Sequence, residues 1–388
     1  MAIKRYDTMS KSGKVILVFL DALCAFYLLF HRAKKMLVQS SLPRKILLAN
    51  RGHLGDIIIA TGILPLIKKA YPAGEIGFLA GSWARPILEK HPLIDHVYYD
   101  DHWYVNRSKQ PLYKKIAHYF SSRRAVLTAL RQAHYDVAID LYAYFPNAAI
   151  LLFQSDIPRR IGYTRGGCGA LLTDPQQWIL KDQHVVDYHI ALLSVIFPEI
   201  KHTENLKPIL LRDQAIDLHR YLPDHFLQPG FIVLHPGCGN PIKEWPIAHW
   251  KVLIKKIMDH AIPVVLTGQG EHELQLTKQI QVESPLCINL CNRLIFPELV
   301  EVIAAARYFV GVDSMVGHVA SAVDTAGVVI GNGTASKAHW KPLSEKIDYL
   351  IGSVPCVPCY HFQGCASMAC VRDVSLDAVF QKITENLL

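Results

Sequence analysis

The sequence predicts two successive α/β domains, each a mostly parallel sheet with helices on both faces. Short apolar runs alternate with amphipathic stretches from Lys45 to Asp140, and the same alternation restarts at Phe231. Between the two series, residues 206–229 lose their periodicity around Pro208, Pro223 and Pro229. A length of 388 residues exceeds one ordinary core and suits two domains. With 51% hydrophobic and 19% charged residues the chain can bury a sizeable core, so a disordered protein is excluded.

The N-terminal segment stands apart from both series. Residues 1–45 hold nine Lys/Arg against Asp7 and Asp21, which is +7 of the net +8, and leave the body of the chain nearly neutral. A basic field confined to one end argues against a nucleic-acid groove and for an anionic surface meeting that end. Within it, Val15 to Phe30 is an apolar run interrupted by Asp21 and flanked by Lys11, Lys14, Arg32, Lys34 and Lys35. The run is short for a membrane span, which needs about 20 apolar residues, so it reads first as a helix lying in the membrane interface over residues 1–40. A true span, a helix packed on the protein and a weak cleaved signal are the other readings.

The first series begins with the apolar run Lys45–Asn50, too short for a helix, followed by a glycine-containing turn and then helical spacing from Asp56 to Ala70. Strands follow at 76–79, 97–99 and 136–140, with a helix ending near Lys90 and another over 123–133. The second series places strands at 231–235, 263–266, 308–311 and 327–330, and helices at 246–260 and 271–280. Continuous apolar strands of this kind belong to parallel sheets buried on both faces.

Four strand ends carry candidate chemistry. Asn50-Arg-Gly52-His-Leu-Gly55-Asp56 places two glycines before a helix start, so backbone can approach a ligand closely, while Asp56 is either a helix cap or a base at the sheet edge. His235-Pro-Gly237-Cys-Gly-Asn240 followed by Lys243-Glu-Trp-Pro246 offers glycines and a cation suited to a diphosphate, against the plain reading of a solvated lysine. Gly268-Gln-Gly-Glu-His-Glu273 and Gly311-Val-Asp313-Ser314-Met-Val-Gly317-His318 each precede a helix, and Asp313 and Ser314 are good N-cap types. No complete dinucleotide fingerprint or P-loop is present, and no Asp-x-Asp triplet offers to hold a metal, so a metal-independent mechanism without a cofactor is expected.

Nine cysteines are scattered except for Cys356, Cys359, Cys365 and Cys370, whose spacing fits a tight zinc site, a disulfide or plain loop thiols. A reducing compartment fits the scatter.

Taken together and in order, residues 47–60 around Gly52-His-Leu-Gly-Asp56, Tyr135–Asp140 with Arg159-Arg-Ile-Gly162, His235-Pro-Gly with Lys243-Glu-Trp-Pro246, and Asp313–His318 resemble the family 9 glycosyltransferases, the ADP-heptose:lipopolysaccharide heptosyltransferases and their relatives. The resemblance runs over roughly residues 44–375 and includes the cysteine-rich stretch. It implies the GT-B architecture, two Rossmann-like domains with a cleft between them: an acceptor-side domain over 41–215 and a nucleotide-sugar-binding domain over 216–388. It implies inverting transfer with Asp56 as general base and Lys243 on the donor phosphates. Gly237, Glu273, Asp313, Ser314, Gly317 and His318 fall on the donor side, and Gly52, Gly55 and Arg159 on the acceptor side. Gly62, Asn332 and Met315-Val316 depart from the usual pattern and loosen the donor's identity more than the fold. The expected partners are a nucleotide-diphosphate sugar, a lipid-linked saccharide and the inner face of the bacterial cytoplasmic membrane. A GT-B-like nucleotide-sugar epimerase and a non-catalytic peripheral membrane protein that binds nucleotide sugars are the alternatives.

Overall fold

The computed structural model describes residues 11–30, 43–201, 206–361 and 363–387. The chain divides into two compact units, Met1–Lys181 with Val185–Glu204, and Asp182–His184 with Asn205–Leu388. Residues 206–215 therefore group with the second unit.

The first unit is built on six parallel strands: β1 (Lys45–Ala49), β2 (Glu75–Ala80), β3 (His96–Tyr99), β4 (Val137–Asp140), β5 (Arg159–Tyr163) and β6 (Asp174–Gln176). Their order, β3-β2-β1-β4-β5-β6, is the doubly wound one, and it reverses between β1 and β4. Ile46–Ala49 and all of β4 are buried, as the uninterrupted apolar runs require. The second unit repeats the plan with β7 (Ile232–His235), β8 (Val264–Leu266), β9 (Cys287–Asn289), β10 (Tyr308–Val312), β11 (Gly327–Ile330) and β12 (Ile347–Leu350), in the order β12-β11-β10-β7-β8-β9. Here the reversal falls between β7 and β10. Trp245 and Trp250 anchor its core against Leu253, Ile254 and the apolar residues of β7, β8 and β10. The expected α/β class with two Rossmann-like sheets is what the chain adopts.

Some elements differ from the sequence expectation. The helix foreseen over 56–70 is two helices, Leu54–Thr61 and Leu64–Ala70. Pro65 stands in the first turn of the second, where its missing N–H costs nothing, and cannot continue the first. The helix expected over 123–133 starts earlier, at Leu112 directly after Pro111. Strands β5, β6, β9 and β12 were not anticipated.

The N-terminal helix, Lys11–Phe30, packs on the first unit. Leu17 is buried, and Leu20, Cys24 and Leu28 lie against Ala149, Phe153, Cys168, Leu171 and Leu172. Among the described residues no helix is long and apolar enough to cross a membrane. Its flanking cations Arg32, Lys34 and Lys35 lie outside the described residues.

Candidate functional site

Open α/β sheets bind ligands at the carboxyl ends of the strands where strand order reverses. In the first unit that position belongs to the loops after β1 and β4. The β1 loop, Asn50–His53, leads into the helix Leu54–Thr61, with Gly55 and Asp56 in its first turn. Asp56 is not the N-cap: it stands one turn in, and its Oδ2 accepts the backbone N–H of His53 at 2.8 Å. It thus closes the helix start from inside and stays half-buried. Gly52 is obligatory here, because a Cβ at that position would come 2.7 Å from the Asp56 carboxyl group. The Asn50 side chain ties the turn by accepting from the Gly52 N–H at 2.9 Å and donating to the Asp56 carbonyl at 3.3 Å. The Trp83 indole N–H reaches the Gly52 carbonyl at 3.0 Å.

Beneath this loop lies a buried ionic network. Arg51 donates to the Asn147 carbonyl at 2.7 Å and pairs with Asp100, both side chains being nearly inaccessible. Arg123 stands 3.7 Å from Asp100 and donates to the Tyr119 hydroxyl at 2.6 Å. Asp140, at the end of β4, accepts the N–H of Ala148 at 2.6 Å and of Tyr142 at 3.3 Å; burial pushes its carboxyl up to about 7 even so. Burial, and then the charge of Asp56, raise the Tyr142 phenol. Burial and the Arg107 guanidinium hold the His53 imidazole down at about 4 and therefore neutral.

Arg159, expected on the acceptor side, is not brought here. It opens β5 in register with Val137, at the amino end of the sheet, while the Asp56 loop leaves the carboxyl end. Its guanidinium pairs with Asp174 at 3.0 Å and reaches the Val195 carbonyl, so it ties β5 to β6. Arg51, Asp100, Tyr142 and Arg107 are the residues the sequence did not single out.

In the second unit the reversal point gathers the loops after β7 and β10. Lys243 ends a short 3-10 turn, Pro241–Lys243. It is not a solvated lysine: its Nζ lies 2.9 Å from Asp313 Oδ2, with the two side chains 30% and 15% exposed. The same oxygen accepts the Asn332 amide at 2.7 Å. Asp313 therefore serves as the lysine's counter-ion rather than as a helix cap. Ser314 occupies the N-cap position of the helix Met315–Ala322 but makes no cap bond, and its buried Oγ has no hydrogen-bond partner among the described residues. The same holds for His318 Nδ1, one turn further on. Burial holds His318 down at about 4, neutral and able to donate or accept. Gly317 is a packing glycine, since a Cβ would meet Val329 at 3.0 Å. Glu273 stands in the first turn of the helix Glu271–Ile280, accepts the Gln269 N–H at 2.7 Å and lies 3.9 Å from His235. A Cβ on Gly237 would meet its Cγ at 2.5 Å, so this loop and Glu273 fit each other only through a glycine. Burial raises the Glu273 carboxyl.

Each unit thus presents polar groups where a ligand of its fold would sit: a carboxylate in the first, and a lysine, a hydroxyl, an imidazole and a free helix N-terminus in the second. The sequence profile of glycosyltransferase family 9 (heptosyltransferase) matches residues 123–368, more than half of the chain.

The chain belongs to glycosyltransferase family 9.

It is accordingly an enzyme of glycosyl transfer from a nucleotide sugar. This glycosyltransferase is 27% identical over 326 residues to lipopolysaccharide heptosyltransferase 2 of Salmonella typhimurium, spanning 78% of this chain and 86% of the relative. It is 24% identical over 306 residues to lipopolysaccharide heptosyltransferase 3 of Escherichia coli, spanning 76% and 84%. Among solved structures, E. coli ADP-heptose lps heptosyltransferase II superposes with a TM-score of 0.68 at 22% identity, covering 88% of this chain and 98% of that one. E. coli heptosyltransferase WaaC with ADP-2-deoxy-2-fluoro heptose superposes at 0.65 and 19% identity, covering 88% and 99%. The shared fold is therefore that of the GT-B heptosyltransferases.

The family match ends inside the cysteine segment. Cys356 and Cys365 are exposed, Cys359 is half-buried and Cys370 is buried, all as free thiols. Among the described residues no group of three or more His, Cys, Asp or Glu side chains is arranged to hold a metal ion. Cys370 packs in the second unit's core, and the Cys365 thiol accepts the Met368 N–H at 3.4 Å.

Proposed function

We propose that this glycosyltransferase moves a heptose from ADP-heptose to a lipopolysaccharide-core or related lipid-linked acceptor at the cytoplasmic face of the membrane, with inversion at the anomeric carbon and without a metal. The observation that carries the reading is Asp56: a half-buried carboxylate at the reversal point of the first sheet, in a family of glycosyltransferases. The heptose and lipopolysaccharide specificity is carried over from the relatives' names.

The chemistry follows from the residues. Asp56 takes the proton of the attacking acceptor hydroxyl, and the new C–O bond forms as the bond to the β-phosphate oxygen breaks. Gly52 and Gly55 keep the loop open to the acceptor. Charge develops on the departing diphosphate, and Lys243, with the N–H groups and Ser314 hydroxyl at the start of Met315–Ala322, stabilises it. His318 adds a neutral hydrogen bond, Asp313 holds the lysine in place, and Glu273 beside Gly237 receives hydroxyls of the nucleoside.

The test is a panel of nucleotide-diphosphate sugars assayed for released nucleotide with and without delipidated core-oligosaccharide acceptors, with the product's anomeric configuration read by NMR. Acceptor-dependent release from ADP-heptose with inverted product supports the proposal. Turnover of a different donor, or release that ignores the acceptor, contradicts it.

A further inference from the structure

The helix Lys11–Phe30 has two unlike faces. Leu17, Leu20, Cys24 and Leu28, spaced by three and four, form the stripe that packs on the first unit. The opposite face turns large apolar side chains to solvent: Val15 is 69% exposed, Phe19 62%, Leu23 47% and Phe26 60%, beside Ile16 and Val18. A helix of twenty residues is about 30 Å long, so this is a continuous ridge of hydrocarbon and not scattered exposure.

Two observations choose what covers it. Lys14 lies in the helix, and residues 1–45 carry nine cations against two carboxylates, so the partner is anionic. A second copy of this chain would bring a like-charged end against it and is disfavoured. An anionic bilayer supplies hydrocarbon for the ridge and phosphates for the cations. We infer that the exposed face of this helix lies in the headgroup region of an anionic phospholipid bilayer while its other stripe stays locked on the first unit. The surface rests on the membrane-face reading proposed above and specifies it.

The lock has a consequence for the site. A Cβ on Gly167 would stand 3.0 Å from Leu17, the Gly167 carbonyl accepts the Asn147 amide at 2.7 Å, and the Asn147 carbonyl accepts from Arg51 at 2.7 Å. Arg51 begins the turn that carries Asp56. The helix therefore holds the acceptor loop at a fixed position relative to the bilayer rather than tethering the enzyme loosely.

The experiment uses the full chain in flotation with phosphatidylcholine vesicles, with and without phosphatidylglycerol. Wild type should float with the anionic vesicles and be partly released by high salt. Phe19→Asp/Leu23→Asp should lower vesicle affinity about tenfold or more per side chain while leaving the melting temperature and transfer to a delipidated acceptor unchanged. Phe19→Ala/Leu23→Ala, which adds no charge, should lose affinity in the same direction. Failure of wild type to bind anionic vesicles overturns the inference, as does a fall in melting temperature in both variants, or concentration-dependent dimerisation abolished by them. If the protein floats but glycosylates no acceptor, the proposed function falls and the surface stands. If it glycosylates a soluble acceptor but does not float, the surface falls and the function stands.

Discussion

Removing Lys243 should weaken nucleotide binding by more than the loss of one contact, because Asp313 stays behind. An ammonium bridging two anions at 2.9 Å from Asp313 puts the bound phosphate about 6 Å from that carboxylate. At an effective dielectric of about 20 to 80, two unit charges at about 6 Å repel by roughly 0.7 to 3 kcal/mol. The lost charge-assisted hydrogen bond contributes about 1.5 to 3 kcal/mol more. Lys243→Ala should therefore raise the Kd for ADP by about 40-fold or more in calorimetry at fixed salt, each 1.4 kcal/mol being a factor of ten. Lys243→Ala/Asp313→Asn removes the repelling charge and should recover about three- to a hundredfold of that loss, giving a non-additive cycle. An unchanged ADP affinity in Lys243→Ala, or a double variant no tighter than the single one, would refute the reasoning and leave the pair as a structural ion bridge.

Gly52→Ala should force the Asp56 carboxylate from its place, since the added Cβ meets it at 2.7 Å; turnover should fall about 100-fold with ADP affinity intact, as steady-state kinetics and calorimetry together would show. Arg51→Met leaves buried Asp100 with Arg123, 3.7 Å away, as its counter-ion and should cost about 1 to 3 kcal/mol of stability in urea denaturation. Arg159→Ala should lose at most about 1 kcal/mol and leave kcat/KM unchanged, because its half-buried pair with Asp174 lies at the far edge of the sheet. His235 and His318, held at about 4 against an ordinary 6.5, are neutral in both folded and unfolded chains above pH 6.5; as pH falls from 6.5 towards 4 only the unfolded chain gains their protons, so stability drops with acid. Each contributes up to about 3 kcal/mol to that drop, and His318→Asn should flatten the urea-midpoint profile over this range.

The parallel sheets were legible because β1, β4, β7 and β11 are apolar runs with no competing signal. β5 was not, because Arg159-Arg160 opens it. Arg160 is accommodated by donating to the carbonyls of Ile157 and Leu171, partners that its own sequence does not announce. β6, Asp174–Gln176, is an edge strand with a central proline and no apolar pattern. The early turns of Leu112–Ala133 were missed since Leu112, Tyr113, Lys114 and Phe120 face solvent and break the helical spacing. At the site, Asp56, Lys243 and Asp313 could be picked out from strand-end motifs. What they touch could not, since the Lys243–Asp313 pair joins residues 70 positions apart and Arg51–Asp100 joins residues 49 apart. Arg159 was placed on the acceptor side by the family resemblance, and strand register puts it at the other end of the sheet.

The most direct test of the account is a side-by-side measurement on wild type and Asp56→Asn: acceptor-dependent ADP release from ADP-heptose, with ADP affinity and melting temperature determined on the same preparations. The account predicts turnover reduced about 100-fold or more in the variant with ADP affinity unchanged, the signature of a lost general base. A variant that turns over at the wild-type rate and merely melts earlier would contradict it, and would leave Asp56 as the residue that closes the start of its helix.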